Sequence, residues 1–529
     1  MPVRPNEAPG TSVAAPRRWE TDRWLLAAGA VSIAVLACLL VPWLRANPPH
    51  GLTSSNAPYT DEGFYSTAAR NFALFGTFGN LGRFSQLINP GYTAVEAVLF
   101  KITGPTLVAA RALSVMATCG MVLIALWGLA KPLGRLAAAV AAAGLAGCQL
   151  ILLYGHVGIV EPFELMLLVG GFVAMTRAMA AQSVRVGVLC GGLLAGALSA
   201  KASAALTFPA ILGVPAVVSA VNAVRNRTWQ RLYVPLAATA TLAGLVGIWT
   251  LAVLVPNWSQ TQQGWKVLEG VKLSSYPKTV QGGIARLYEW FGHPARTDHV
   301  LTWTMPLLIG AVVGSACVIV LWRRGSQQDH WVTASGWIWA LTAWIVPVLG
   351  AYSPNRFFLV AVPGLALAAA PGLAAGLRST AEKLGRPTAA AGTAAVLLGL
   401  VLPGVLSYSV MESGVFGTNQ LGRDEAAVDG YLTPLAVVYG QYAADLSLPT
   451  RAKIVIPAPH SGLHMTAPIE RYGVNYLIAD VPGHRDKIDA AVIRAVSSPV
   501  HPLGAPIVTV PWGPHELGLY RLAPNRTQG

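Results

Sequence analysis

The chain is patterned as long apolar runs separated by short polar breaks. Runs near 24–44, 107–130, 134–154, 160–180, 184–200, 203–222, 233–256, 301–322, 331–351, 356–377 and 387–411 each approach the roughly 20 apolar residues that a helix needs to cross a bilayer. This hydropathy pattern predicts about eleven transmembrane helices. A long polar loop, 45–106, follows the first run. Within it, Asp61 to Phe75 sets Phe64, Ala68, Phe72 and Phe75 at helical spacing, and Pro90 to Ile102 is apolar but too short to span. Both read as helices lying at the membrane interface. A second loop, 257–300, is rich in polar and aromatic residues, and beyond 411 the composition becomes that of an ordinary polar domain. There Lys453-Ile-Val-Ile, Tyr476-Leu-Ile-Ala and Ile507-Val-Thr-Val read as strands. Asp424 to Leu435 and Asp486 to Val496 read as helices opened by an Asp cap. The predicted fold is a polytopic α-helical membrane protein in three parts: a disordered basic N-terminus over 1–23, a transmembrane domain over 24–411, and a small α/β domain over 412–529.

Composition agrees with this pattern. Of 529 residues 54% are hydrophobic and only 11% charged, too few charges to cover a soluble protein of that size and too much apolar material for disorder. The net charge of +14 would suit a nucleic-acid partner in a soluble chain, but here its location matters more. With the N-terminus in the cytoplasm, the cytoplasmic connections contain Lys131 and Arg135; Arg177 and Arg185; Arg225, Arg227 and Arg231; Arg323 and Arg324; and Arg378, Lys383 and Arg386. Each is short and basic, as the positive-inside rule requires, and an odd number of spans puts the C-terminal domain outside. The five cysteines all lie in apolar runs, with neither a disulfide framework nor zinc-ligand spacing.

The same topology makes a few outer-side charges conspicuous: Asp61 and Glu62, His156 and Glu161, Lys201, and Arg356. They come from separate stretches and converge at one depth. Each has a plain structural reading. Thr60 or Asp61 caps a helix, Glu161 before Pro162 opens one, His156 is an interface histidine, and Lys201 snorkels. Glu164, one turn deeper, needs a partner or a cavity. The functional reading is a carboxylate base beside two cations that stand against the orientation rule and so suit an anion, a lipid phosphate first. No P-loop, dinucleotide fingerprint, HExxH or nucleophile-elbow motif is present.

Tyr59-Thr-Asp-Glu-Gly-Phe-Tyr65, Ala69-Arg-Asn71, Gly76-Thr-Phe-Gly79 and Asn89-Pro-Gly-Tyr92 together resemble the first outer loop of the GT-C glycosyltransferases. The nearest pattern is that of the protein O-mannosyltransferase and aminoarabinose transferase group, glycosyltransferase family 39-like. His156-Val-Gly-Ile-Val-Glu-Pro162, Ala200-Lys-Ala-Ser203, Tyr352-Ser-Pro-Asn-Arg-Phe-Phe358 and Tyr472-Gly-Val-Asn-Tyr-Leu-Ile478 follow in the family's order. Two departures stand out: Arg356 is followed by Phe where the family has Tyr, and no Pro follows Lys201.

The resemblance implies an inverting membrane glycosyltransferase, hexosyl- or pentosyl-, that uses a polyprenyl-phosphate sugar at the outer face of a bacterial plasma membrane. By that likeness Asp61 is the general base, with Glu62 beside it. Lys201, Arg356 and Arg83 stabilise the leaving phosphate, and Glu161, His156, Tyr65 and Tyr352 orient sugar, acceptor or a metal. No cofactor is required by it, and a divalent ion remains open, because relatives differ. The acceptor, whether protein, glycan or lipid, is unspecified. Two other classes suit a polytopic chain. A transporter or flippase would show repeat halves and midplane polar sites, and a noncatalytic scaffold would leave the charged set without a purpose.

Overall fold

The computed structural model describes residues 18–47, 61–78, 90–259, 262, 300–321, 326–349, 355–415, 420–456, 468–481, 487–497, 503–512 and 515–522. It is mostly helical. The helices are α1 (Arg18–Leu40), α2 (Asp61–Phe75), α3 (Pro90–Thr103), α4 (Leu107–Leu133), α5 (Arg135–Gly147), α6 (Gln149–Tyr154), α7 (Glu161–Ala181), α8 (Val184–Ala200), α9 (Val214–Asn226), α10 (Tyr233–Trp249), α11 (Val300–Val320), α12 (Gln327–Leu349), α13 (Val362–Leu384) and α14 (Arg386–Val415). Helical backbone stands at each predicted span. Among the described residues, seven helices are long and apolar enough to cross a membrane, and three more apolar helices are shorter.

The shortfall has local causes. The run 134–154 is broken at Cys148, whose extended backbone (φ −71°, ψ 117°) separates α5 from α6. Next to this break Gly147 lies against the backbone of Leu400 and Val401, so α14 crosses where the helix is interrupted. The run 184–200 forms only the 17-residue helix α8, whereas the run 203–222, which does count among the seven, begins as 3-10 turns over Ala202–Thr207 and a π turn over Pro209–Gly213 before α9 starts.

One continuous apolar core joins α1, α4–α8, α10–α14. Burial separates central from peripheral helices: the apolar window of Arg356–Leu384 is 94% buried, against 11% for Pro387–Ser409. Close crossings use small residues, as membrane bundles do; a Cβ on Gly372 would run into the carbonyl of Gly314. Ile248, Leu251, Ile319 and Val320 are exposed. On spanning helices these are the surface for lipid tails.

Beyond α14 stands a five-stranded mixed sheet: β1 (Val437–Tyr439), β2 (Lys453–Val455), β3 (Tyr476–Asp480), β4 (Val508–Trp512) and β5 (His515–Arg521), in the order β2-β1-β3-β5-β4. β1 pairs parallel with β2 and β3; β5 pairs antiparallel with β3 and β4. All three predicted strands are present. β1, three residues long, and β5, seven residues long, lie outside the predicted set. The helix expected from Asp424 is Leu421–Asp429 and its N-cap is Gln420, so Asp424 is not a cap. It lies in the first turn, buried, and accepts from Asn47 Nδ2 at 3.2 Å.

The two loop helices have the predicted bounds within a residue, but α2 is buried on an unexpected face. Phe75 is 45% exposed, while Glu62, Ser66, Thr67, Arg70 and Asn71 are buried. The reason is that α2 and α3 are enclosed between the bundle and the sheet domain, sharing one core with Tyr442, Ala443, Leu446 and Leu448. The polar face is used in these contacts: Arg70 meets backbone carbonyls of the sheet domain, Ser66 meets Glu96 of α3, and Glu62 meets Arg111 of α4. The N-terminal 1–17 and nearly all of the second outer loop lie outside the described residues.

Candidate functional site

Four chain segments bring charges together at the end of the bundle under the sheet domain. Asp61 is the first residue of α2, and Glu161 is the first of α7, followed by Pro162, whose missing N–H suits that first turn. Lys201 directly follows α8 with extended backbone (φ −156°, ψ 132°). Arg356 lies in the 3-10 segment Asn355–Ala361, held to α12 by a 2.6 Å bond from Trp339 Nε1 to the carbonyl of Val360.

The side chains form a continuous ionic row. Arg356 Nη1 donates to Asp61 Oδ2. Arg356 Nε is 3.3 Å from Glu161 Oε1, and Lys201 Nζ is 2.7 Å from the same oxygen. Glu161 is fully buried, whereas the Asp61 side chain is 25% exposed, so Asp61 is the most accessible member of the row. The Phe357 ring faces both cations, 5.0 Å from Lys201 Nζ and 5.8 Å from the Arg356 guanidinium carbon. The position that departs from the family pattern therefore meets both cations through an aromatic face. Tyr65 stands within electrostatic reach of all four charges. Behind Lys201, Ser203 Oγ donates to Glu164 Oε1 at 2.8 Å; Glu164 Oε2 has no hydrogen-bond partner among the described residues. The partner that Glu164 required is thus Ser203.

Glu62, next to the row, faces a different network. Arg111 Nε and Nη2 grip its two oxygens at 2.7 and 2.6 Å, and the Gly158 amide donates to Oε1 at 2.7 Å. Arg111 Nη1 also donates to the carbonyls of Ala46 and Leu44. The Glu62 carboxylate is thereby fully engaged in joining α2, α4 and the 155–160 connection. His156 lies in that connection, with Nδ1 3.2 Å from the Leu152 carbonyl and its ring edge-on to Tyr408. It is not part of the row. Arg83 and Tyr352 lie outside the described residues, as does Thr60.

The sequence reading passed over Arg111, although a lone arginine inside an apolar span is itself a signal. It also passed over Asp445 and the docking role of Arg70. Asp445 Oδ1 accepts from the Gly63 amide at 2.7 Å. Arg70 Nε donates to the Leu448 carbonyl at 2.8 Å and Nη2 to those of Thr450 and Ala452. No pattern within 412–529 distinguishes Asp445 from other tail acids, because its importance lies in what docks on it. Among the described residues no group of three His, Cys, Asp or Glu is arranged to hold a metal ion.

The sequence matches no protein-family model and no curated protein. Known structures do match. ArnT from Cupriavidus metallidurans superposes in its apo state with a TM-score of 0.56 at 13% identity, covering 95% of this chain and 98% of that one. Its form bound to undecaprenyl phosphate gives 0.57 at 14% identity, covering 97% and 99%. The apo oligosaccharyltransferase of Archaeoglobus fulgidus gives 0.53 at 14% identity, covering 88% of this chain and 70% of that one. The chain shares the fold of these GT-C glycosyltransferases. Apolar helices on this fold make it a multi-pass membrane protein.

Proposed function

We propose that this GT-C chain is an inverting glycosyltransferase that moves a sugar from a polyprenyl-phosphate donor to an acceptor hydroxyl on the extracytoplasmic side. The observation that carries the reading is the row Asp61–Arg356–Glu161–Lys201, assembled from four segments on a fold that ArnT shares. One ArnT structure holds undecaprenyl phosphate, which supports a lipid phosphate as the donor's leaving group. The basic short connections support a cytoplasmic N-terminus and an outer sheet domain.

The reaction follows from the charges. Two carboxylates and two cations leave the row neutral, with Arg356 neutralising Asp61. An arriving donor phosphate competes for Arg356 and Lys201, and the Asp61 carboxylate it displaces is then free to accept a proton. Asp61 removes the acceptor hydroxyl proton as the acceptor oxygen bonds to the anomeric carbon. The bond from that carbon to the phosphate oxygen breaks on the opposite face, and its electron pair stays on the lipid phosphate. Arg356 and Lys201 oppose the charge that accumulates there, in a site largely shielded from water. Glu161 keeps the two cations side by side, and Tyr65 borders the same space. Glu62 acts as a positioning residue through Arg111; the family resemblance alone proposes Arg83 for the phosphate and Tyr352 for the sugar. Sugar identity, whether mannose or a pentose, is open to assay, as is a divalent ion.

The test is transfer of label from polyprenyl-phosphate mannose and from polyprenyl-phosphate arabinose by purified protein in liposomes. Asp61→Asn is expected to lower turnover on the order of 10²- to 10⁴-fold, the usual worth of a positioned base, with donor binding retained. Wild-type turnover in that variant removes Asp61 from the chemistry.

A further inference from the structure

We infer that Asp445 of the sheet domain is a positioning residue for Asp61, capping from a distance the helix on which Asp61 sits. The inference rests on Asp61 being the base. α2 starts at Asp61, so Gly63 is its third residue, and that amide has no partner within the helix. In most helices a side chain just before the first turn accepts from this amide. Here Asp445 Oδ1, from a chain segment 382 residues away, accepts from it at 2.7 Å. The contact is fully buried: Asp445 is 0% exposed, and Glu62 beside it is 0% exposed.

The fit is close. A Cβ on Gly63 would collide with the backbone at Ala444 and Asp445, so glycine is what permits the approach. Further along α2, Arg70 is clamped by the carbonyls of Leu448, Thr450 and Ala452. Two polar attachments about two turns apart therefore fix both the position and the roll of α2 against the sheet domain. One end of that helix carries Asp61 into the ionic row. The bundle holds the same turn from the other side, through Glu62 and Arg111. The first turn of α2 is thus gripped between two bodies, and the geometry of Asp61 depends on both. Burial, reinforced by the nearby Glu62 carboxylate, raises the Asp445 carboxyl well above its ordinary range. A protonated acid keeps one acceptor oxygen for Gly63, which an asparagine reproduces.

The experiment compares Asp445→Ala and Asp445→Asn in the full-length protein. Hydrogen exchange at residues 61–65 reads the cap directly, whether or not sugar is transferred. Transfer assays then read the consequence. Asp445→Ala is expected to speed exchange at these amides at least 10-fold. It is also expected to lower kcat on the order of 10- to 100-fold, since small misplacements of a reacting group cost that much, with donor KM within about twofold. Asp445→Asn is expected to restore both protection and kcat to within about threefold, a loss no larger than a weakened hydrogen bond allows. Wild-type exchange and kcat in Asp445→Ala overturn the inference, as does an Asn variant as impaired as the Ala one. Should Asp445→Ala fail to insert, Gly63→Ala separates the same contact from the bundle side; it is expected to lower kcat at constant donor KM, and wild-type kcat overturns the inference. If the wild-type protein transfers no sugar while exchange responds as expected, it is the glycosyltransferase reading that fails and the cap that stands.

Discussion

Removing the Glu62 carboxylate isolates a structural role from a catalytic one. Glu62 and Arg111 are 0% and 2% exposed, and Arg111 holds both carboxylate oxygens at 2.7 and 2.6 Å. Glu62→Ala leaves a buried guanidinium without its counter-charge and an unpaired Gly158 amide. Breaking one side of a buried pair costs about 3–5 kcal/mol, and the orphaned amide falls within that range of difference measurements. At 1.4 kcal/mol per tenfold, this raises the population of the opened bundle end about 10²- to 10³-fold or more. Buried Cys148 and Cys190 give the readout, because both are free thiols inaccessible in the folded chain. In a Cys38→Ser background, which removes the exposed thiol, Glu62→Ala is expected to label at these positions at least 100-fold faster under mild denaturant, in line with that cost. Glu62→Leu with Arg111→Met, which removes both charges and keeps volume, is expected to recover most of the loss. Labelling of Glu62→Ala at the wild-type rate would refute the reasoning, and return Glu62 to the list of residues free to act on substrate.

Further outcomes follow from the same geometry. Arg356→Lys keeps a charge but cannot reach Asp61 and Glu161 together through a planar fork, so donor KM is expected to rise on the order of tenfold, the worth of one charge-assisted bond; an unchanged KM would count against phosphate binding there. Arg70→Lys loses two of the carbonyl contacts to the sheet domain and is expected to increase proteolysis between α14 and the sheet, measured by limited digestion. Burial in α3 pushes the Glu96 carboxyl up to about 8, against the opposing hydrogen bonds from Ser66 and Tyr92. Above the unfolded value near 4.3 and up to about 8, the folded state keeps a proton that the unfolded chain has released, so stability falls as pH rises through that window. Melting is therefore expected to be higher at pH 6 than at pH 8, and Glu96→Gln is expected to reduce the difference. Asp424 and Glu425, raised by burial to about 6 and 7, slope the same way and leave a residual dependence in the variant. An identical slope in Glu96→Gln would place the proton elsewhere.

Much of the architecture was legible as a one-dimensional pattern. Span positions follow from runs of apolar residues, because a bilayer imposes a length and satisfies no backbone polar groups. The bounds of α2 and α3, and strands β2, β3 and β4, follow from local spacing. Asp61, Glu161, Lys201 and Arg356 were conspicuous because charges are costly near a span and these stand on the sparsely charged side.

What the pattern could not specify is which charge meets which. Asp61 and Glu62 are adjacent, yet successive helical residues point about 100° apart. One enters the ionic row and the other the Arg111 network. The break at Cys148 and the buried polar face of α2 arise from close approach of α14 and of the sheet domain. Those contacts join residues hundreds of positions apart. The sequence by itself determined a membrane bundle with a polar C-terminal domain and a short set of outer charges. Only the tertiary structure decided which of those charges form the row and that Asp445 holds the helix start, because a hydrogen bond across 382 residues depends on packing and leaves no local periodicity.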